Sequence, residues 1–83
     1  MLLDIVSVQP AQDYSLLLVF ENGETRRFDM AGYMDRKPFI RIKPVPLFMR
    51  AKVEYGTVVW PGEIDIAPET LYDRSVPVEP CQP

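Results

Sequence analysis

Alternating apolar and polar side chains predict three strands in the first 30 residues. Leu2 to Val8 is rich in β-branched and other aliphatic residues and predicts the first strand. Tyr14 to Phe20 is apolar at both sets of alternating positions, which is typical of a strand in the centre of a sheet. Glu24 to Asp29 supplies a third segment of strand length.

The turn between the second and third strands contains Asn22-Gly23, residues that tolerate the positive φ of a tight hairpin. A two-residue loop would place two glutamates opposite each other and Phe28 opposite Leu17. A three-residue loop with Gly23 in a bulge avoids that like-charge pair and places Phe28 opposite Leu16. We favour the three-residue loop.

The middle of the chain is interrupted by prolines. Met30 to Lys37 is compatible with one or two helical turns, and Pro38 to Pro46 carries three prolines, which predict an edge or irregular segment. Met49 to Tyr55 then alternates between apolar and polar residues, as in a half-buried strand with Arg50 and Lys52 on its solvent face.

The last third predicts one more strand, at Thr57 to Trp60, and a short helix that Pro68 opens. We therefore expect an α+β fold over residues 1–74. In it a small antiparallel five-stranded sheet, with three strands, a helical turn, two strands and a helix in chain order, is packed by one or two short helices. Residues 75–83 carry three prolines and predict a frayed or extended C-terminal tail.

Composition limits the chemistry. Eighty-three residues suffice for one domain, and the nine prolines argue against a helical bundle. The chain has no histidine and one cysteine, Cys81, which we expect to be an exposed thiol in the tail. We identify no catalytic residue, no cofactor site and no metal site, and we expect a protein that is not an enzyme.

Charge is unevenly distributed: residues 31–53 carry a net charge of +5, and the segments before and after them carry −3 and −5. One interpretation is that the basic and acidic segments meet on neighbouring strands. The other is a basic surface for an anionic partner. Trp60 has two interpretations as well, as a core residue or as an exposed anchor for a partner. The candidate partner-binding residues are Arg36, Lys37, Arg41, Lys43, Arg50, Lys52 and Trp60.

Four motifs in order resemble a known family. They are Phe20-Glu-Asn-Gly-Glu-Thr-Arg-Arg-Phe28-Asp29, Leu47-Phe48, Val58-Val59-Trp60-Pro61 and Asp65-Ile66-Ala67-Pro68-Glu69-Thr70-Leu71-Tyr72. In this order they resemble the bacterial domain of unknown function 2442, over residues 4 to about 74. The resemblance implies a small α+β fold. It also implies a bacterial or phage-borne protein, often encoded beside another small protein in an arrangement suggestive of toxin–antitoxin pairs.

These observations favour a non-enzymatic protein-interaction module, the accessory or neutralising partner in such a gene pair. Its partner would be the product of the neighbouring gene. The alternative is a nucleic-acid-binding or transcription-linked regulator that uses residues 36–52, although the acidic pI near 4.8 argues against nucleic acid. Open sheet edges suggest a homodimer. No segment is apolar enough to span a membrane, and we expect a cytoplasmic protein.

Overall fold

The computed structural model describes residues 4–78, so Cys81 and the end of the predicted tail lie outside the described residues. The strands are β1 (Ile5–Pro10), β2 (Ser15–Phe20), β3 (Thr25–Asp29), β4 (Lys52–Glu54), β5 (Thr57–Trp60), β6 (Ile64–Ile66) and β7 (Val76–Pro77). The α-helices are α1 (Val45–Phe48) and α2 (Pro68–Arg74), and 3₁₀ turns span Ala31–Tyr33 and Phe39–Ile42. The α+β class is confirmed.

The first sheet has the strand order β1-β2-β3-β7, and its observed pairs are antiparallel. Phe28 lies opposite Leu16, and the Phe20 N–H donates to the Glu24 carbonyl at 2.9 Å. This is the register of the three-residue loop, and Gly23 in that loop has a φ of +90°. The predicted register and the central position of β2 are therefore confirmed.

The prediction of one five-stranded sheet is wrong, because β4, β5 and β6 form a second antiparallel sheet. β6 was missed because it is only three residues long, too short for a recognisable alternation. The turn between β5 and β6 contains Gly62, whose positive φ lets the chain reverse directly after Trp60. β1 packs beside β4 and β5, and the Ile5 N–H donates to the Gly56 carbonyl at 2.9 Å.

The strand predicted for Met49 to Tyr55 is shorter in the structure. Met49 and Arg50 instead close the end of α1, where their N–H groups donate to the carbonyls of Val45 and Leu47. Only residues 52–54 pair with β5. Arg50 and Lys52 therefore do not share a strand face, and this correction follows from the helical turn that absorbs residue 50.

Trp60 lies in the core with 1% of its surface exposed, as the core interpretation predicts. Its indole N–H donates to the Phe48 carbonyl at 2.9 Å, and the two rings are 5.8 Å apart between centroids. The rest of the core comes from both sheets, α2 and the middle segment. The buried apolar residues are Ile5, Leu16, Leu18, Phe20, Phe28, Met30, Met34, Ile42, Phe48, Val58, Trp60, Ile64, Ile66 and Leu71.

The last described residues, 76–78, contribute to the first sheet. α2 begins at Pro68, as predicted, and β7 pairs with β3, with Val76 opposite Arg27. The Val78 N–H donates to the Thr25 carbonyl at 2.9 Å. The start of the predicted tail is therefore extended and paired with the sheet rather than frayed.

Trp60→Phe should lower the free energy of unfolding by about 1–3 kcal/mol, because it removes a buried hydrogen bond and leaves a void beside Phe48. Urea unfolding followed by far-UV circular dichroism measures the change. Tyr55→Phe is the matched control, because the Tyr55 side chain is 98% exposed and its loss of a hydroxyl should leave the midpoint unchanged. Equal midpoints for Trp60→Phe and the wild type would contradict the packing described.

Candidate partner-binding surface

The six cationic candidates all lie on the surface, in the segment that joins the two sheets. Arg41 lies in the second 3₁₀ turn and Lys52 begins β4, whereas the other four lie in the turns and irregular stretches beside the 3₁₀ turns and α1. The prolines of this segment favour such turns, because they fix φ and remove donors from any ladder. Trp60 is the exception among the candidates, since it is buried in the core and is not available to a partner as an exposed anchor.

Two of the six cations are paired. Lys43 Nζ lies 2.6 Å from an Asp35 carboxylate oxygen, and this hydrogen bond raises the pKa of Lys43. Lys52 Nζ lies 3.0 Å from Glu54 on the same strand. Neither pair joins neighbouring strands, so the predicted charge complementarity between strands is wrong for these two lysines. The other four candidate cations form no ion pair within residues 4–78; they are Arg36, Lys37, Arg41 and Arg50.

Arg41 is positioned over the turn between β5 and β6. A Cβ atom on Gly62 would lie 3.2 Å from a terminal nitrogen of the Arg41 guanidinium, so glycine leaves the space that this side chain uses. The φ of Gly62, +91°, is also one that other residues rarely adopt. The basic segment therefore lies at the end of the second sheet where Trp60 ends β5.

Three large apolar side chains are exposed among these cations: Ile40 at 46%, Met49 at 38% and Leu47 at 36%. The strand predicted for Met49 to Tyr55 placed Met49 on its inner face, so the exposure of Met49 corrects that prediction. A 3₁₀ turn aligns Phe39 and Ile42, three residues apart, toward the core and leaves Ile40 outside. We call residues 36–52, with their exposed cations and apolar side chains, the basic–apolar segment.

A separate polar cluster joins the β2–β3 hairpin to α2. The Tyr72 hydroxyl donates to the Glu24 carboxylate at 2.6 Å, and Arg26 donates to the same carboxylate at 2.9 Å. Arg26 also donates to the hydroxyl and carbonyl of Ser75, and its guanidinium lies 4.3 Å from the Tyr72 ring centroid. The cluster thus ties the end of α2 and the start of β7 to β3.

The pKa values in this cluster favour a structural role. The Tyr72 hydroxyl, and after it Asn22, lower the pKa of Glu24, and the same hydrogen bond from Tyr72 to Glu24 raises the pKa of Tyr72. Both shifts keep each group in its usual neutral-pH form, an ionised carboxylate and a protonated phenol. The pair therefore acts as a hydrogen-bonded clamp.

The outer face of the first sheet carries a shallow cleft of about 260 Å³, lined by Gln9, Pro10, Ala11, Ser15, Leu17 and Arg27. Arg27 pairs with Asp13 at 3.1 Å, and the Ser15 hydroxyl and N–H donate to Asp13 and lower its pKa. Within residues 4–78, no three or more carboxylate, thiol or imidazole groups lie close enough to hold a metal ion. No helix of that range has the length and apolar character that crossing a membrane requires.

Comparison with known proteins gives one match. The family model described as "Protein of unknown function (DUF2442)" matches residues 5–77, which is nearly the whole chain. No curated protein matches, and no solved structure matches. The match confirms the resemblance that the four sequence motifs carry.

Acid should destabilise the protein in part through Glu24. Because the pKa of Glu24 is lowered below its ordinary value of 4.5, the ionised cluster stabilises the folded chain above that pH, and this stabilisation is lost as the pH falls through the lowered pKa. Tyr72→Phe removes the largest cause of the shift. Urea midpoints measured across the acid range should therefore fall less steeply in Tyr72→Phe than in the wild type.

Tyr55→Phe is the control for this comparison, because its pH dependence should match that of the wild type. Asp13 titrates in all three proteins, so the difference in slope isolates the contribution of Glu24. Parallel curves for Tyr72→Phe and the wild type would show that the pKa of Glu24 does not depend on its hydrogen bond with Tyr72.

Proposed function

We propose that this chain, which belongs to the DUF2442 family of proteins of unknown function, is a non-enzymatic protein-interaction module that binds its partner through the basic–apolar segment. The observation that supports the proposal is the combination of exposed cations with exposed Ile40, Leu47 and Met49 on one short stretch of chain. None of these side chains contributes a buried group to the core.

The composition of the segment favours a protein partner with carboxylates around an apolar centre. Arginine and methionine are enriched in the cores of protein interfaces, and large apolar side chains gain most when they leave water. Cations around such a centre speed association with an acidic partner and discriminate against basic ones. Arg36, Lys37 and Arg50 are exposed cations that form no ion pair within residues 4–78.

We also propose that the partner is the product of the neighbouring gene, with this chain as the accessory or neutralising member of a toxin–antitoxin-like pair. The support is the gene arrangement that the family resemblance implies. A partner of this kind would be bound stoichiometrically, because neutralisation requires one interaction module for each toxin molecule.

Nucleic acid is the second candidate partner. The four candidate cations that form no ion pair within the described range are of the residue types that contact phosphates. The acidic pI near 4.8 opposes this candidate, and exposed aliphatic side chains make no contribution to phosphate binding. The two candidates therefore differ in their dependence on Ile40 and Leu47.

Substitution of the apolar side chains should weaken binding to the neighbouring gene's product. Ile40→Ser with Leu47→Ser should raise the dissociation constant about tenfold or more in isothermal titration calorimetry, because a loss of about 1.4 kcal/mol corresponds to a factor of ten. Arg36→Glu with Lys37→Glu should also weaken binding, with a marked dependence on salt. Val6→Ser, which changes a 57% exposed valine on β1, is the matched control and should bind like the wild type.

Mobility shifts with random DNA and RNA at low salt test the alternative. Nucleic acid would be favoured as the partner if Arg36→Glu with Lys37→Glu abolishes this binding while Ile40→Ser with Leu47→Ser leaves it intact. If the neighbouring gene's product binds neither the wild type nor the variants, the neutralising role is wrong.

A further inference from the structure

The turn between β4 and β5 presents an aromatic ring to solvent. Tyr55 is 98% exposed, far more than any other large apolar or aromatic side chain in residues 4–78. Glu54 pairs with Thr57, so the loop consists of Tyr55 and Gly56 alone. Both have positive φ, +54° and +76°, which is the pattern of a type I′ hairpin turn. We call this loop the Tyr55 tip.

The Tyr55 tip is fixed to the first sheet. The Gly56 carbonyl accepts a hydrogen bond from the Ile5 N–H at 2.9 Å, and a Cβ at Gly56 would lie 2.6 Å from the Asp4 carboxyl carbon. Asp4 in turn accepts, through its carbonyl, a hydrogen bond from the Glu21 N–H at 2.9 Å. The loop backbone is therefore fixed by its hydrogen bond to β1, while the Tyr55 ring extends into water.

Folding gives no reason for a tyrosine at this position. A bulky residue in the left-handed region is conformationally disfavoured, whereas asparagine or glycine is preferred at the first position of a type I′ turn. Tyr55 buries almost none of its side chain in return. Exposed tyrosines on rigid turns are well suited to protein contacts, because the ring loses little conformational entropy on binding.

The surroundings of the tip complement the basic–apolar segment in charge. The exposed residues Asp4 and Glu21 lie beside the tip, where Asp4 contacts both Gly56 and Glu21. The basic–apolar segment lies at the other end of β5, where Arg41 covers Gly62. One molecule thus carries an acidic aromatic end and a basic apolar end, separated by the length of the second sheet.

We propose that the Tyr55 tip of one copy docks on the basic–apolar segment of a second copy. The ring packs among the exposed aliphatic side chains and near arginine, and Asp4 and Glu21 face the cations. Because the two surfaces lie at different ends of the chain, the contact is head-to-tail and leaves a free surface at each end. Self-association therefore covers the same segment that the proposed partner would use, and the partner competes with it.

Sedimentation velocity over a range of protein concentration and salt tests the proposal. The wild type should grow beyond the monomer as its concentration rises, and added salt should reverse the growth. Tyr55→Asn should remain monomeric and should fold at least as stably as the wild type, because asparagine suits the turn. Arg36→Glu with Leu47→Ser should remain monomeric as well, and Val76→Asn, a change at a 59% exposed valine on β7, should behave like the wild type.

Mixing the two monomeric variants distinguishes this contact from any symmetric dimer. Tyr55→Asn keeps an intact basic–apolar segment and the double variant keeps an intact tip, so together they should form a one-to-one dimer that does not grow further. A wild type that stays monomeric at every concentration would overturn the proposal, and so would association that survives Tyr55→Asn. Neither result would bear on binding of the neighbouring gene's product, which is measured separately.

Discussion

The contact between Trp60 and Phe48 is the interaction on which the rest of the architecture depends. Trp60 ends β5, and Phe48 ends the helical turn that closes the irregular middle segment. The indole N–H that donates to the Phe48 carbonyl ties that segment to the second sheet with a buried hydrogen bond. Phe39 also packs edge-on against the indole, with ring centroids 6.3 Å apart. Phe39, Ile42 and Phe48 thus face the core from residues 36–52, and the six cations, Ile40 and Leu47 lie on the surface.

The sequence predicted those features of the fold that depend on residues close together in the chain. The register of Phe28 opposite Leu16 followed from a like-charge pair and one glycine, and the start of α2 followed from Pro68. The packing of the second sheet beside β1 involves contacts such as that between Ile5 and Gly56, residues far apart in the chain, which no periodicity encodes. Alternation over residues 49–55 placed Arg50 on a strand. The same pattern is also compatible with a helical turn followed by a short strand, which is what the structure has. The six candidate cations lie on the surface, whereas the seventh candidate, Trp60, lies in the core, and Met49, which the predicted strand placed on its inner face, is exposed.

Two tyrosines with positive φ have different relationships to the fold. Tyr14 has a φ of +68°, its ring packs edge-on against Phe48 with 5.1 Å between centroids, and its hydroxyl donates to the Lys43 carbonyl. These contacts offset the conformational cost and connect the first hairpin to the middle segment. Tyr55 has a similar φ without comparable burial. Packing contacts therefore offset the cost of the positive φ at Tyr14, whereas the Tyr55 ring has no comparable contacts.

The charged residues of the chain also differ in how many contacts they make within the molecule. Arg26 is nearly buried, lies over the Tyr72 ring and donates to Glu24 and Ser75, so its charge is fully used in holding α2 and β7 to β3. Arg36, Lys37 and Arg50 form no ion pair within the described range and contribute nothing to the core. Arg26 therefore stabilises the fold through contacts within this chain, without a partner molecule. The exposed aliphatic groups and the exposed tyrosine gain free energy when another surface covers them, whereas the exposed cations need anionic partners to offset their lost hydration.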